Sequence, residues 1–269
     1  MEYFIKAESG VNIFVNDINP QSDKAILMIH GWPANYKLFE YQYNQLGNMG
    51  YRMIGVDTRG FGKSSKPWNG YNYDRLSDDI RCVINALQLH NITLLGHSTG
   101  GAIAIRYITR HNGYGVSKLV LCASAAPSLV ERPNFPYGAK PEVVTNIIQS
   151  SYTDRPKMLS DFGNIFFHNK VSQPFSEWFF GLGLEAAGWS TIAIAQMWLR
   201  EVLFSDLPKI NVPTLIMHGV HDQVVPYQLG VVQNQGIQGS SLVSFENSGH
   251  GLFYDEKDKF NMELSRFTG

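Results

Sequence analysis

Short apolar runs recur along the chain at residues 24–30, 51–57, 91–96, 117–123, 213–218 and 241–246, each bounded by Gly, Asn, Pro or Asp. Continuous runs of this kind suit strands buried on both faces of a mostly parallel sheet. Residues 2–8 and 11–17 flank the turn Ser9-Gly10 and read as a hairpin. Between the runs, apolar positions follow helical spacing over about 36–48, 73–89, 99–111, 226–236 and 255–267. The stripe of Leu76, Ile80, Val83, Ile84 and Leu87 is the clearest of these. Strands alternating with helices predict a doubly wound α/β sheet of eight strands.

Residues 127–205 break the alternation. They open with prolines 127, 133, 136 and 141, then turn helical and aromatic, with Phe162, Phe166, Phe167, Trp178, Phe179, Phe180 and Trp198. A block of this kind between two sheet strands predicts a helical cap over the strand ends. The expected division is therefore a core of 1–126 with 206–269, and a cap of 127–205. No repeat or low-complexity tract interrupts the chain.

Composition narrows the class. The 269 residues are 44% hydrophobic, enough for a sizeable core, and carry 22 basic against 23 acidic side chains for a net charge of −1. That balance, without any block of like charge, argues against nucleic acid or a membrane surface as partner. No apolar run approaches the roughly 18 residues of a bilayer span. The start, Met-Glu-Tyr-Phe-Ile-Lys, lacks the features of a signal peptide, so a cytoplasmic protein is expected. Cys82 and Cys122 fall in different predicted elements and read as two reduced thiols.

The chemistry gathers around Gly96-His97-Ser98-Thr99-Gly100. This G-x-S-x-G follows the apolar strand at 91–95 and opens a helix, the setting of a nucleophile elbow. The turn demands small residues two positions either side of Ser98, lifts its Oγ off the sheet, and sets it at a helix N-terminus that favours a developing anion. A serine hydroxyl needs a base, usually His, oriented by a carboxylate. In sheets with this elbow the partners follow in the order Ser, acid, His. Asp222 and His250 satisfy that order, each just past a predicted strand end, with Gly249 and Gly251 flanking the imidazole. An oxyanion hole needs two backbone N–H groups. One is assigned to Thr99, after the nucleophile, and the other to Trp32, in the loop His30-Gly31-Trp32-Pro33; Pro33 has no N–H to offer.

Other residues invite weaker readings. His218, His221 and Asp222 could suggest a metal cluster, but the stretch reads as strand and turn, so no metal is expected. His97 and His30 are expected to pack and to brace, and His90, His111 and His168 to lie at the surface. Gly60-Phe61-Gly62-Lys63-Ser64 ends like a phosphate-binding loop, yet Asp57 stands where that motif requires glycine. Asp57 is instead expected to brace a turn.

With these residues assembled, the chain resembles the bacterial cofactor-free haloperoxidases, perhydrolases and aryl esterases of the α/β-hydrolase fold. The resemblance rests on HGWP (30–33), GYRMIGVDTRGFGKSSKPW (50–68), YDRLSDDI (73–80), RPNFPYG (132–138), GHSTGG (96–101), HGVHDQVVP (218–226) and SGHG (248–251). Ala102 departs from it, since many relatives have a third glycine there, and residues 139–205 match least. The resemblance implies ester hydrolysis through an acyl-enzyme without cofactor. It also implies that hydrogen peroxide can replace water as acyl acceptor, giving a peracid, and Pro33 resembles the members linked with that chemistry. The substrate is expected to be a small apolar ester held between cap and elbow. Trp32, Leu129, Val224, Tyr227 and Leu252 are the expected walls, each neighbouring a catalytic loop or the cap entrance.

The same residues admit other readings. A serine at the elbow disfavours dehalogenase or epoxide-hydrolase chemistry, which in this fold uses Asp there. Amide, lactam or lactone hydrolysis by the same triad stays open, because fold does not fix substrate. A slow-turnover ligand receptor or signalling protein is the reading from another class; turnover would distinguish it. The sequence leaves oligomeric state open, a homo-oligomer included.

Overall fold

The computed structural model describes residues 1–269. Its eight strands are β1 (Glu2–Glu8), β2 (Val11–Ile18), β3 (Ala25–Ile29), β4 (Arg52–Val56), β5 (Ile92–His97), β6 (Val116–Cys122), β7 (Thr214–Gly219) and β8 (Ser241–Phe245). They form one sheet in the order β1-β2-β4-β3-β5-β6-β7-β8. β1 and β2 are the expected antiparallel hairpin, β2 also pairs antiparallel with β4, and every remaining pair is parallel. Burial follows from position: β3, β5 and β7 are buried at every residue, whereas the edge strands β1 and β8 keep exposed or half-buried positions.

Flanking helices are α1 (Glu40–Asn48), α2 (Tyr73–Ala86), α3 (Thr99–Arg110), α8 (Tyr227–Gly236), α9 (Leu252–Asp255) and α10 (Lys257–Thr268). Right-handed crossovers put α1 on one face of the sheet and α2 and α3 on the other. The packing agrees, with α2 against α3 and α1 against α10. Two helix boundaries differ from the sequence reading. The stretch 36–48 opens as a 3₁₀ turn over Tyr36–Phe39, because the Asn35 side chain accepts the Lys37 N–H and tightens it. The stretch 255–267 forms α10 from Lys257, and a short α9 precedes it, separated at Glu256, whose carboxylate turns back to Ser248 Oγ and the Asn247 N–H.

The chain leaves β3 towards β4 and then returns to place β5 on β3's other side. Winding therefore reverses between the carboxyl ends of β3 and β5, the crevice where open α/β sheets bind ligands. The register sets Ile29 beside Gly96, so the loops after these strands lie side by side.

Between β6 and β7 the chain forms α4 (Pro141–Thr153), α5 (Arg155–Phe166), α6 (Gln173–Leu184) and α7 (Gly188–Arg200). Proline stands in the first turn of α4, α5 and α6, where its missing N–H costs nothing, and Asp154 and Ser172 cap α5 and α6. Phe162, Phe166, Phe179 and Trp198 from these helices join the apolar cluster of the sheet. Both cysteines are free, Cys82 half-buried in α2 and Cys122 buried in β6. No helix is long and apolar enough to cross a membrane.

Candidate active site

The elbow follows from what its neighbours lack. Ser98 sits between β5 and α3 at φ 55°, ψ −121°, a left-handed conformation that a non-glycine residue rarely adopts. A Cβ at Gly96 would meet Gly100 O at 2.3 Å, and one at Gly100 would meet Ile29 O at 2.3 Å. Both obstacles are backbone and cannot yield. The strained turn is held by Ser98 N–H donating to Cys122 O (2.9 Å) and by Ser98 O accepting from Gly101 and Ala125 N–H (2.9 and 3.0 Å).

The loops after β7 and β8 bring Asp222 and His250 together. His250 is fully buried and its Nδ1 donates to Asp222 Oδ2 at 2.8 Å. With Nδ1–H given to Asp222, the neutral ring presents Nε2 as an acceptor, and Nε2 is buried without a hydrogen-bond partner. Asp222 Oδ1 accepts the Val224 and Val225 N–H groups, each at 2.8 Å. Burial pulls the Asp222 carboxyl upward, but His250 and His218 outweigh it and hold the group well below the usual carboxylate range. The acid is thus an anion aimed at the imidazole.

Sequence reasoning missed two histidines that serve this pair. His218 Nε2 donates to Val225 O at 2.9 Å and lies 3.4 Å from Asp222 Oδ2, so it ties the acid loop to β7. His221 turns the other way, stacking on His168 at the surface with ring centroids 4.1 Å apart, so His218, His221 and Asp222 do not converge. His97 does more than pack: its Nε2 donates to the His250 carbonyl at 3.0 Å. Burial, reinforced by His250 nearby, keeps the His97 ring neutral, well below its ordinary pKa.

His30 braces as expected. Its Nδ1 donates to Gly31 O (2.9 Å) and its Nε2 accepts the Thr58 N–H (3.0 Å), joining the loops after β3 and β4. Burial lowers its pKa to about 4. Asp57 accepts the Tyr36 and Lys63 N–H groups at 2.8 and 2.7 Å, and burial pushes its carboxyl up to about 6 against those two donors. The Gly-Lys-Ser segment is therefore a turn wrapped on Asp57. Gly31 lets the β3 loop reach the elbow, since a Cβ there would lie 2.8 Å from Ser98 Cβ. Next to it stands Trp32. Thr99 is the first residue of α3, so its N–H has no partner in the helix's own ladder.

An apolar cavity of about 80 Å³ opens on Ser98. Trp32, Leu129 and Val224 line it, with Gln223, Ala139 and Trp198. The rest of the wall comes from Val143, Val144 and Ile147 of α4 and Phe162 and Ile165 of α5. A groove of about 560 Å³ between α4 and α5 shares Val143, Ile147, Phe162 and Ile165 with it. Tyr227 and Leu252 are not at this cavity. Tyr227 starts α8, which runs back along the sheet, and its hydroxyl bonds Ser244 Oγ at 2.5 Å. Leu252 starts α9 and is fully buried in the core. Each neighbours the loop of Asp222 or of His250 in sequence, but a helix turns its side chain away.

The model of the alpha/beta hydrolase fold family matches residues 24–257. The chain belongs to that family. It is 46% identical over 268 residues to the AB hydrolase superfamily protein YisY of Bacillus subtilis, covering 100% of this chain and 99% of that one. It is 31% identical to the non-heme chloroperoxidase CPO-A1 of Kitasatospora aureofaciens, covering 96% of each. Among solved structures it is similar to an esterase from Exiguobacterium antarcticum, at TM-score 0.97 and 46% identity over 100% of this chain and 99% of that one. The protein is thus an enzyme of the α/β-hydrolase superfamily, with non-heme haloperoxidases and a bifunctional esterase/perhydrolase among its relatives. These are the relatives that the motifs from HGWP to SGHG pointed to.

Proposed function

We propose that the protein hydrolyses small carboxylic esters through an acyl-enzyme on Ser98. The observation that carries this reading is the 2.8 Å bond from His250 Nδ1 to an anionic, buried Asp222, which orients the ring and leaves Nε2 of its neutral form free to accept a proton. In this reading Ser98 Oγ attacks the ester carbonyl carbon while His250 Nε2 takes its proton. The carbonyl oxygen becomes an oxyanion held by the Trp32 and Thr99 N–H groups. Collapse breaks the bond to the alcohol oxygen, which leaves with the proton from His250. Water then attacks the acyl-serine with His250 again as base, and the carboxylic acid leaves.

The helices of 127–205 serve as the cap. The cavity of about 80 Å³ amounts to only a few water volumes, which favours short acyl groups. The alcohol portion lies toward the groove between α4 and α5. Hydrogen peroxide in place of water would give a peracid by the same deacylation step, a reading favoured by the similarity to a chloroperoxidase and an esterase/perhydrolase.

Mixing the enzyme with nitrophenyl acetate, quenching in acid and mapping the peptides tests the proposal. An acetyl group on Ser98 is expected, and turnover without any acyl-serine would contradict the mechanism. For the peroxide branch, acetate, peroxide and bromide should brominate monochlorodimedone. Failure to do so would remove that branch alone.

A further inference from the structure

Of the four inserted helices, α7 is fastened at both ends to the body beneath it. Near its start, the Ala187 N–H donates to Gly60 O at 2.9 Å, and Ser190 Oγ meets Tyr71 OH at 2.7 Å. At its end, the Arg132 guanidinium donates to Trp198 O and Leu199 O at 2.9 and 2.8 Å. Those are carbonyls that the last turn leaves without helical partners. Arg132 lies in the segment that enters the insertion, so one side chain locks both the entry and the exit of the inserted chain.

Between these anchors two indole N–H bonds run between α7 and the elbow region. Trp32 Nε1 donates to Thr191 O at 3.2 Å, and Trp198 Nε1 donates to Thr99 Oγ1 at 3.1 Å. Thr191 and Trp198 are two helical turns apart and so share one face of α7. The two indoles also meet edge to face, with centroids 5.2 Å apart. Trp32, Trp198 and Thr99 are each 4% exposed, so water cannot readily replace a lost bond.

Trp32 and Thr99 are the two residues whose backbone N–H groups were assigned to the oxyanion. We infer that α7 is a strut for the oxyanion hole, with Trp198 as a positioning residue that orients the Thr99 amide through the Thr99 hydroxyl. The insertion then contributes to the rate as well as to enclosure of the substrate. The inference rests on the reading of Ser98 as nucleophile. Its physical basis is that oxyanion donors act through exact aim, and a small error in their direction is costly in the transition state but not in substrate binding.

The test uses Trp198→Phe, which keeps a ring and removes the N–H, and Thr99→Val, which removes the acceptor and keeps the backbone amide. Loss of one buried hydrogen bond's worth of aim corresponds to a fall of about three- to ten-fold in kcat. Each variant should show it chiefly in kcat, with a smaller change in KM. Each should weaken binding of a trifluoromethyl ketone, whose hemiketal oxygen mimics the oxyanion, by the same factor. The double variant should be no worse than either single one. Thr99→Ser, which restores the hydroxyl, should recover what Thr99→Val loses in kcat and in inhibitor binding. Trp189→Phe, which loses an indole bond to Pro67 O on the outer side of α7, should behave as wild type.

Unchanged kcat and inhibitor binding in both variants, losses that multiply, or losses confined to KM would overturn the inference. If Trp198→Phe does not fold, Thr99→Val against Thr99→Ser decides it alone. Absence of any trifluoromethyl ketone adduct on Ser98 in the wild type would instead overturn the underlying reading of the site.

Discussion

The two walls of the cavity are built differently. The wall on the sheet side is held by loops that side chains tie to backbone groups: Asp222 accepts two N–H groups, His97 donates to the His250 carbonyl, and His30 joins two loops. The wall above is formed largely by apolar side chains of α4 and α5. The contrast shows in the helices themselves. In α3, 12 residues long, all but Arg106, Thr109 and Arg110 are buried, whereas Val144 alone is buried among the 13 of α4. In the proposed mechanism the first wall carries the chemistry and the second bounds the acyl group.

Substitutions that strike the lower wall should have the largest effects. Ser98→Ala or His250→Ala should lower kcat for nitrophenyl acetate by about 10⁴-fold or more with KM little changed. Asp222→Asn should cost on the order of 10⁴-fold as well, because an amide no longer holds His250 in the working tautomer. A loss below tenfold in any of these, measured in steady state on folded protein, would break the proposed division of labour.

Ile147→Ala tests the upper wall. Ile147 is half-buried and lines both the cavity and the groove, so its truncation should enlarge the room at little cost in stability. We expect kcat/KM for the butyrate ester to rise relative to acetate by about tenfold, the worth of one or two methylenes. A panel of nitrophenyl esters of increasing acyl length would show it. An unchanged length profile would mean that α4 does not bound the acyl group.

The smallest effect concerns the brace. His30 is neutral in the fold, lowered by burial from 6.5 to about 4. Between those values the unfolded chain binds more protons, so stability from neutral His30 is present above about pH 6.5 and is lost as pH falls towards 4. His97 acts in the same direction. Asp57, raised from 3.8 to about 6, acts oppositely and offsets part of the loss. Urea unfolding of wild type and His30→Gln at pH 7 and pH 5 isolates the His30 contribution. The wild type should lose about 2 kcal/mol more than the variant between the two. Equal losses would show that His30 is not held neutral.

How much of this could be read in the sequence follows the same division. The strands were legible because a sheet buried on both faces writes continuous apolar runs, and the elbow was legible because its glycines answer to backbone contacts two residues away. Asp222 and His250 could be placed because strand order confines them to one end of the sheet. The walls were legible only in part. Trp32, Leu129 and Val224 line the cavity, but Tyr227 and Leu252 neighbour catalytic loops in sequence while α8 and α9 carry them elsewhere. Val143, Val144 and Ile147 carried a faint signal, apolar spacing of three and four residues in α4, that does not say which partner the stripe meets. His218 stands with His221 and Asp222 in a sequence cluster that does not show which group each ring serves. The bond from Trp198 to Thr99 spans 99 residues and leaves no local pattern to read.

Ser98 as an activated nucleophile is the centre of the proposed mechanism. Treating the folded enzyme with a fluorophosphonate and mapping the adduct by mass spectrometry tests this in one measurement, with Ser98→Ala and His250→Ala alongside. A single phosphonyl group on Ser98, absent in Ser98→Ala and greatly slowed in His250→Ala, is the expected result. Labelling at another residue, labelling that survives Ser98→Ala, or labelling as fast without His250 as with it would contradict the account.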